Sequence, residues 1–135
     1  MTDAEVTAVT ILVVDDNPQI RDVFGRMLQM SGFEVWSADS GKSALNLLAQ
    51  RGEPRLAIVD LHMPGMSGFE FCESAQAIYE LPVIIMTVAD DQGTIVEGLE
   101  KYAEDYIIKP TTTAQLLARV RRVLQRVEAS SSATL

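Results

Sequence analysis

Five short apolar runs punctuate the chain, at residues 11–14, 35–38, 56–59, 83–86 and 106–108. The first, third and fourth are unbroken and mostly β-branched, the pattern of strands buried on both faces rather than one. The longer segments between them carry helical punctuation. Asn17-Pro18 reads as an N-cap followed by a first-turn proline, and Ser31-Gly32 as the stop of that helix. Ser40 can cap a second helix, which carries Ala44, Leu45, Leu47 and Leu48 and ends near Gly52. Ser67 opens a third with Phe69, Cys72 and Ile78 on one side. Ile95, Leu99 and Tyr102 mark a fourth around residues 94–100, and Thr112 caps a fifth containing Leu116, Val120, Val123 and Val127.

Strand and helix alternating in this way predict an α/β fold, a five-stranded parallel sheet with five helices on both faces. Right-handed crossovers leave few topologies for it. Residues 1–9 read as an N-terminal extension and 10–128 as one domain. Residues 129–135, rich in Ser, Ala and Thr, have nothing to pack and read as a disordered tail or a truncated linker. No internal repeat interrupts the domain.

Composition narrows the classes. A length of 135 residues suits one domain, and the 47% hydrophobic content is enough for a core and too high for disorder. The net charge of −8 argues against direct binding of nucleic acid. A single cysteine, Cys72, forms no internal disulfide and reads as a packed small hydrophobe. No apolar run approaches a membrane span, and residues 1–10 lack a secretion signal. The expectation is a soluble cytoplasmic domain with no membrane contact.

In an open parallel sheet, ligands bind beyond the carboxyl ends of the strands, near the point where strand order reverses. The first strand ends in Asp15-Asp16, the third in Asp60, the fourth in Thr87 and the fifth in Lys109-Pro110. Each alone has a bland explanation: a solvated loop carboxylate, a charge favoured near a helix N-terminus, a surface lysine. Together they place three carboxylates, a hydroxyl and an ammonium on one edge. Carboxylates about 4 Å apart repel by roughly 4 kcal/mol per pair at an effective dielectric near 20, so the cluster calls for a proton or a cation. Hard oxygen donors with room for water suit Mg²⁺, with Mn²⁺ able to substitute. A carboxylate beside such a cation can attack phosphorus and form an aspartyl-phosphate. Lys109 and Thr87 would meet the phosphoryl oxygens.

Four stretches carry a family resemblance: Ile-Leu-Val-Val-Asp-Asp at 11–16, Val-Asp-Leu-His-Met-Pro-Gly-Met-Ser-Gly at 59–68, Ile-Ile-Met-Thr at 84–87, and Glu-Asp-Tyr-Ile-Ile-Lys-Pro at 104–110. Intervals of 44, 27 and 22 residues separate Asp16, Asp60, Thr87 and Lys109 in turn. From about Thr10 to Val127 the chain resembles a receiver domain of the two-component response regulators. The resemblance implies the flavodoxin-like sheet order 2-1-3-4-5. It implies that Asp60 is the phosphoacceptor, served by a sensor histidine kinase or a phosphotransfer protein. Asp16, Asp60 and the backbone carbonyl of His62 would bind Mg²⁺, with Asp15 acting mainly through water. Thr87, the Val88 backbone and Lys109 would hold the phosphoryl group, Tyr106 would turn inward behind it, and Lys109–Pro110 would be a cis peptide. Phosphorylation would then alter the face made by the fourth helix, the fifth strand and the fifth helix, where a downstream effector or a second copy of the chain would bind. Such a domain catalyses its own phosphorylation and slow dephosphorylation, and is otherwise not an enzyme.

Several positions depart from the family pattern. Val88 stands where Ala or Gly is usual and would narrow access to the phosphoryl group, altering phosphorylation or hydrolysis rates. Tyr102 replaces a common glycine at the end of the fourth helix, and Thr111 replaces the usual Phe after Lys-Pro. The only histidine, His62, lies at the site mouth, where the family uses the backbone. Arg119, Arg121, Arg122 and Arg126 form a basic stripe, read as a solvated face or as partners for acidic residues such as Asp105 of a second copy. Two rivals stand beside the phosphoacceptor. An aspartyl-phosphate phosphatase or mutase would want an Asp where His62 sits, and a pseudo-receiver would act as an interaction module without phosphorylation.

Overall fold

The computed structural model describes residues 8–88 and 101–133. In chain order it comprises β1 (Thr10–Val14), α1 (Pro18–Met30), β2 (Glu34–Ala38), α2 (Gly41–Arg51), β3 (Leu56–Asp60), α3 (Gly68–Gln76), β4 (Val83–Val88), β5 (Asp105–Lys109) and α4 (Thr113–Ala133). All five strands are parallel, in the order β2-β1-β3-β4-β5. The helix predicted at 94–100 lies outside the described residues; the other four predicted helices are present.

Strand side chains alternate between faces with period two, and the two cores follow that period. Ile11, Val13, Leu56, Ile58, Ile84 and Met86 point to one side, where α1 contributes Phe24 and Leu28 and α4 contributes Leu116, Val120 and Val123. Leu12, Val14, Ala57, Val59, Val83 and Ile85 point to the other, under Ala44 and Leu48 of α2 and Phe71, Cys72 and Ala75 of α3. β1, β3 and β4 are therefore buried on both faces, which is why their runs carry no polar alternation. The edge strand β2 is mostly exposed or half-buried.

The caps form where local chemistry predicts them. The Asn17 side chain accepts hydrogen bonds from the backbone N–H groups of Gln19 and Ile20 at the start of α1. Ser40–Ser43 and Ser67–Glu70 form reciprocal capping boxes on α2 and α3. Thr112 Oγ1 accepts from Gln115 N–H at the start of α4. Each such cap is worth about 1 kcal/mol.

Two sequence expectations need correction. α3 ends at Gln76, so Ile78 lies beyond it and is 74% exposed; the inward positions are Phe71, Cys72 and Ala75. Once the helix stops, 3.6-residue spacing no longer carries a side chain back to the core. Of the two readings of residues 129–135, a disordered tail or a truncated linker, the first does not hold at 129–133, where α4 continues to Ala133. No glycine or proline interrupts the chain after Val127, and extending an existing helix costs little compared with starting one.

Candidate functional site

The sheet order reverses between β1 and β3, and there the carboxylates meet. Asp15 follows β1 directly, while Asp60 is the last residue of β3 and pairs in register with Met86 of β4. Carboxylate oxygens of Asp15, Asp16 and Asp60 all lie within 4.8 Å of one another. Asp15 is wholly buried and Asp60 6% exposed, whereas Asp16 faces solvent. Thr87, one residue past Met86, is buried at the same edge.

Lys109 closes the site from β5. Two strand spacings of nearly 5 Å separate β5 from β3, so only a long side chain at the strand end can cross over β4. Its Nζ lies 3.3 Å from Asp15 Oδ2 and 3.2 Å from Asp60 Oδ1. One ammonium thus serves two buried carboxylates, which would be costly to bury unpaired. Burial pushes the Asp60 carboxyl above its ordinary range; Lys109 pulls against this and the Asp15 carboxylate adds to it, while a backbone hydrogen bond from His62 favours the ionised form.

The loop after Asp60 is pressed against the sheet. The Gly68 N–H donates to the Leu61 carbonyl at 2.8 Å. A Cβ on Gly68 would stand 2.6 Å from the Asp60 carbonyl oxygen and 2.9 Å from Leu61 Cα, so the last glycine of the 59–68 motif is there because nothing larger fits. Gly65 turns the loop at a φ of 81°.

The other expected residues fall as follows. The Lys109–Pro110 peptide is cis. Val88, the last residue of β4, is 44% exposed and pairs in register with Lys109. The His62 side chain is exposed. Tyr106 is half-buried against the apolar cluster beneath α2 and α3, and it lines a groove of about 400 Å³ between β5 and α4 with Thr111, Gln115 and Arg119. Arg119 does not stand free: its Nη1 donates to both carboxylate oxygens of Asp105 in the same chain, each at 3.0 Å. Burial pushes the Cys72 thiol up to about 12, which removes it as a nucleophile.

Sequence reasoning missed Arg21, whose Nη1 donates to the Asp15 carbonyl at 2.6 Å. A signal was available: helical side chains lean toward the N-terminus, and from the first turn of α1 that direction leads back to Asp15.

Three acidic side chains converge with a lysine at the strand ends, and the carboxylates of Asp15, Asp16 and Asp60 stand close enough together to hold a metal ion. The response regulator receiver domain family matches residues 11–121, and the chain belongs to that family. It is 38% identical over 122 residues to a probable transcriptional regulator, ycf27, of Porphyridium aerugineum, an alignment covering 90% of this chain and 50% of that protein. The chain thus spans about half the length of that curated relative. Among solved structures, a response regulator receiver domain protein from Clostridium thermocellum is similar with a TM-score of 0.83 at 26% identity, over 91% of this chain and 98% of that one. Chemotaxis protein CheY4 of Vibrio cholerae is similar with a TM-score of 0.79 at 32% identity, over 87% of this chain and 99% of that one. The chain is a receiver domain of two-component signalling, with the flavodoxin-like sheet order. Among the described residues no helix is long and apolar enough to cross a membrane.

Proposed function

We propose that this domain is a phosphorylation-dependent switch in which Asp60 accepts a phosphoryl group from a histidine of a sensor kinase or phosphotransfer protein. The observation that carries the proposal is the Asp60 carboxylate, buried at the end of β3, clustered with Asp15 and Asp16 and paired with Lys109 at 3.2 Å. An Asp60 oxygen attacks phosphorus, the P–N bond of the donor breaks, and the imidazole leaves with a proton taken from water. The Lys109 ammonium, already between Asp15 and Asp60, turns to an oxygen of the incoming group. Thr87 and the Val88 backbone N–H meet the remaining oxygens, at the edge where the charge lies.

Among the described residues the metal-ligating groups that converge here are all carboxylate oxygens, with the exposed Asp16 leaving room for water, and this set fits Mg²⁺ or Mn²⁺. Asp16, Asp60 and the His62 carbonyl would hold the ion, with Asp15 behind them. When bound, such an ion would supply positive charge against the phosphoryl oxygens. Water hydrolyses the acyl phosphate slowly, and no separate substrate is turned over. Phosphorylation adds close to two negative charges at pH 7. Redirecting Lys109 and Thr87 toward them biases the flank of β5 and α4, with Tyr106 behind, and a downstream effector reads that flank in the cytoplasm.

Incubation with Mg²⁺ and acetyl phosphate or phosphoramidate tests this by intact mass. A gain of one phosphoryl group that Asp60→Asn abolishes is the expected result. No gain in a folded protein that binds Mg²⁺ would overturn it and leave a phosphorylation-independent interaction module.

A further inference from the structure

Asp15 is tied down at every polar atom. Its N–H donates to the Ala38 carbonyl at the end of β2, at 3.2 Å. Its Oδ1 accepts from the Asn17 N–H at 2.9 Å and its Oδ2 from Lys109 at 3.3 Å. The remaining atom, the carbonyl oxygen, belongs to the peptide that joins Asp15 to Asp16, and Arg21 holds it. At 2.6 Å this is a short, charge-assisted bond. Among the described residues Arg21 forms no ion pair, although Asp22 is its chain neighbour and Asp39 lines the same groove. The guanidinium, half-buried between α1 and β2, is committed to a main-chain carbonyl.

We infer that Arg21 is a positioning residue for the cation site: by clamping the Asp15–Asp16 peptide it keeps the exposed Asp16 carboxylate turned toward Asp15 and Asp60. The inference rests on the cation-assisted phosphoacceptor function proposed above. Asp16 is the one member of the cluster whose burial does not confine it. Among the described residues Lys109 is the one side chain ion-paired to the cluster, at Asp15 and Asp60, so like-charge repulsion favours swinging Asp16 out into solvent. Orientation of that side chain starts from the peptide plane preceding its Cα, and Arg21 fixes this plane. An Arg at this place has two effects of opposite sign. Its charge, close to the acidic cluster, opposes a bound cation; its clamp pre-assembles the ligands and favours one. The short bond to a carbonyl, rather than to any carboxylate, makes the clamp the dominant effect.

Mn²⁺ binding to the full chain, followed by electron paramagnetic resonance, separates the two. The variants are Arg21→Ala, Arg21→Lys, and Arg26→Ala as control, since Arg26 lies further along α1 and, among the described residues, pairs with exposed Asp22. Arg21→Ala is expected to bind Mn²⁺ about tenfold more weakly, the range in which residues that orient metal ligands act. Arg21→Lys, which keeps a charged donor, recovers most of the loss, and Arg26→Ala binds like wild type. In phosphorylation by acetyl phosphate, the Mg²⁺ concentration for half-maximal rate rises with Arg21→Ala while the rate at saturating Mg²⁺ is retained. If Arg21→Ala does not fold, Arg21→Met, which preserves the aliphatic stem, is read in the same way. Equal or tighter Mn²⁺ binding by the truncated variant overturns the inference, because the guanidinium then acts as a charge alone. A loss that lysine does not recover overturns it too, marking general damage to α1. A wild-type protein that binds no Mn²⁺ defeats the cation reading of the site itself, and this inference with it.

Discussion

Charge is handled in opposite ways at the carboxyl edge of the sheet and on the flank where β5 meets α4. At the edge, two carboxylates are buried, a third joins them within 4.8 Å, and a single ammonium pairs with the buried two. On the flank, charges are partly exposed and pair one to one within the chain: Arg119 with Asp105 and Arg126 with Glu104. The edge gathers like charge where water reaches it poorly. The flank pairs its charges one to one, and its pairs, being partly solvated, are cheap to exchange for others. Clustering in a buried space sets the edge apart; the number of charges does not, since the flank has as many.

The contrast can be broken most sharply at the edge. Asp60→Asn is expected to abolish phosphoryl uptake from acetyl phosphate, read by intact mass, and Lys109→Met to slow it about a hundredfold, the usual loss when a donor to a developing oxyanion is removed. Either variant phosphorylating at the wild-type rate would place the chemistry elsewhere.

Next in size is a steric effect. Gly68→Ala should lose about 2–3 kcal/mol in urea melts, because backbone atoms of Asp60 and Leu61 cannot yield to a Cβ as flexible side chains do. Gly25→Ala, in the middle of α1 with nothing nearer than 3.8 Å, should instead be neutral or gain up to about 1 kcal/mol. Equal effects at the two glycines would contradict the close approach at the site.

The third effect is a pH dependence. Because the Asp60 carboxyl is raised in the folded protein, chiefly by burial, the folded state holds its proton more tightly than the unfolded chain. Stability contributed by this group is therefore greatest at low pH and falls as pH rises from the ordinary aspartate range through the raised folded value. Without divalent ions, Asp60→Asn should melt higher than wild type near neutral pH, and the difference should shrink on acidification. Mg²⁺ should raise the wild-type melting temperature and narrow the gap by binding the folded state. A variant that melts lower than wild type at neutral pH would mean that Lys109 outweighs burial.

The smallest effect belongs to the flank. Arg119→Ala should change stability by about 0.2–1 kcal/mol, and still less in high salt, because both members of the pair remain partly solvated. A loss above about 2 kcal/mol would show that the flank, like the edge, depends on its charges.

The elements were legible because their signals are local. Pro18 behind Asn17, Ser40 with Ser43, Ser67 with Glu70 and Thr112 with Gln115 each act within one helical turn. The unbroken runs at β1, β3 and β4 announce burial on both faces. Ile78 misled because periodicity says which face a residue would take in a helix, not whether the helix lasts that long. The stretch from 129 to 133 misled because Ser and Ala suit either a linker or the continuation of a helix. Which of the two forms depends on whether a helix is already running through Val127.

By itself, the sequence determined the strands, their caps, and the residues standing at each strand end: Asp15, Asp16, Asp60, Thr87 and Lys109. These follow from side-chain volume, branching and short-range hydrogen bonding, which act between near neighbours in the chain. Only the tertiary structure decided that one lysine spans Asp15 and Asp60, that Arg21 grips the Asp15 carbonyl, that Gly68 has no room for a Cβ, and that Arg119 closes on Asp105 of its own chain. Each of these depends on the direction and reach of a side chain, or on the clearance between two backbones. Such quantities exist only once the sheet has brought its strands side by side.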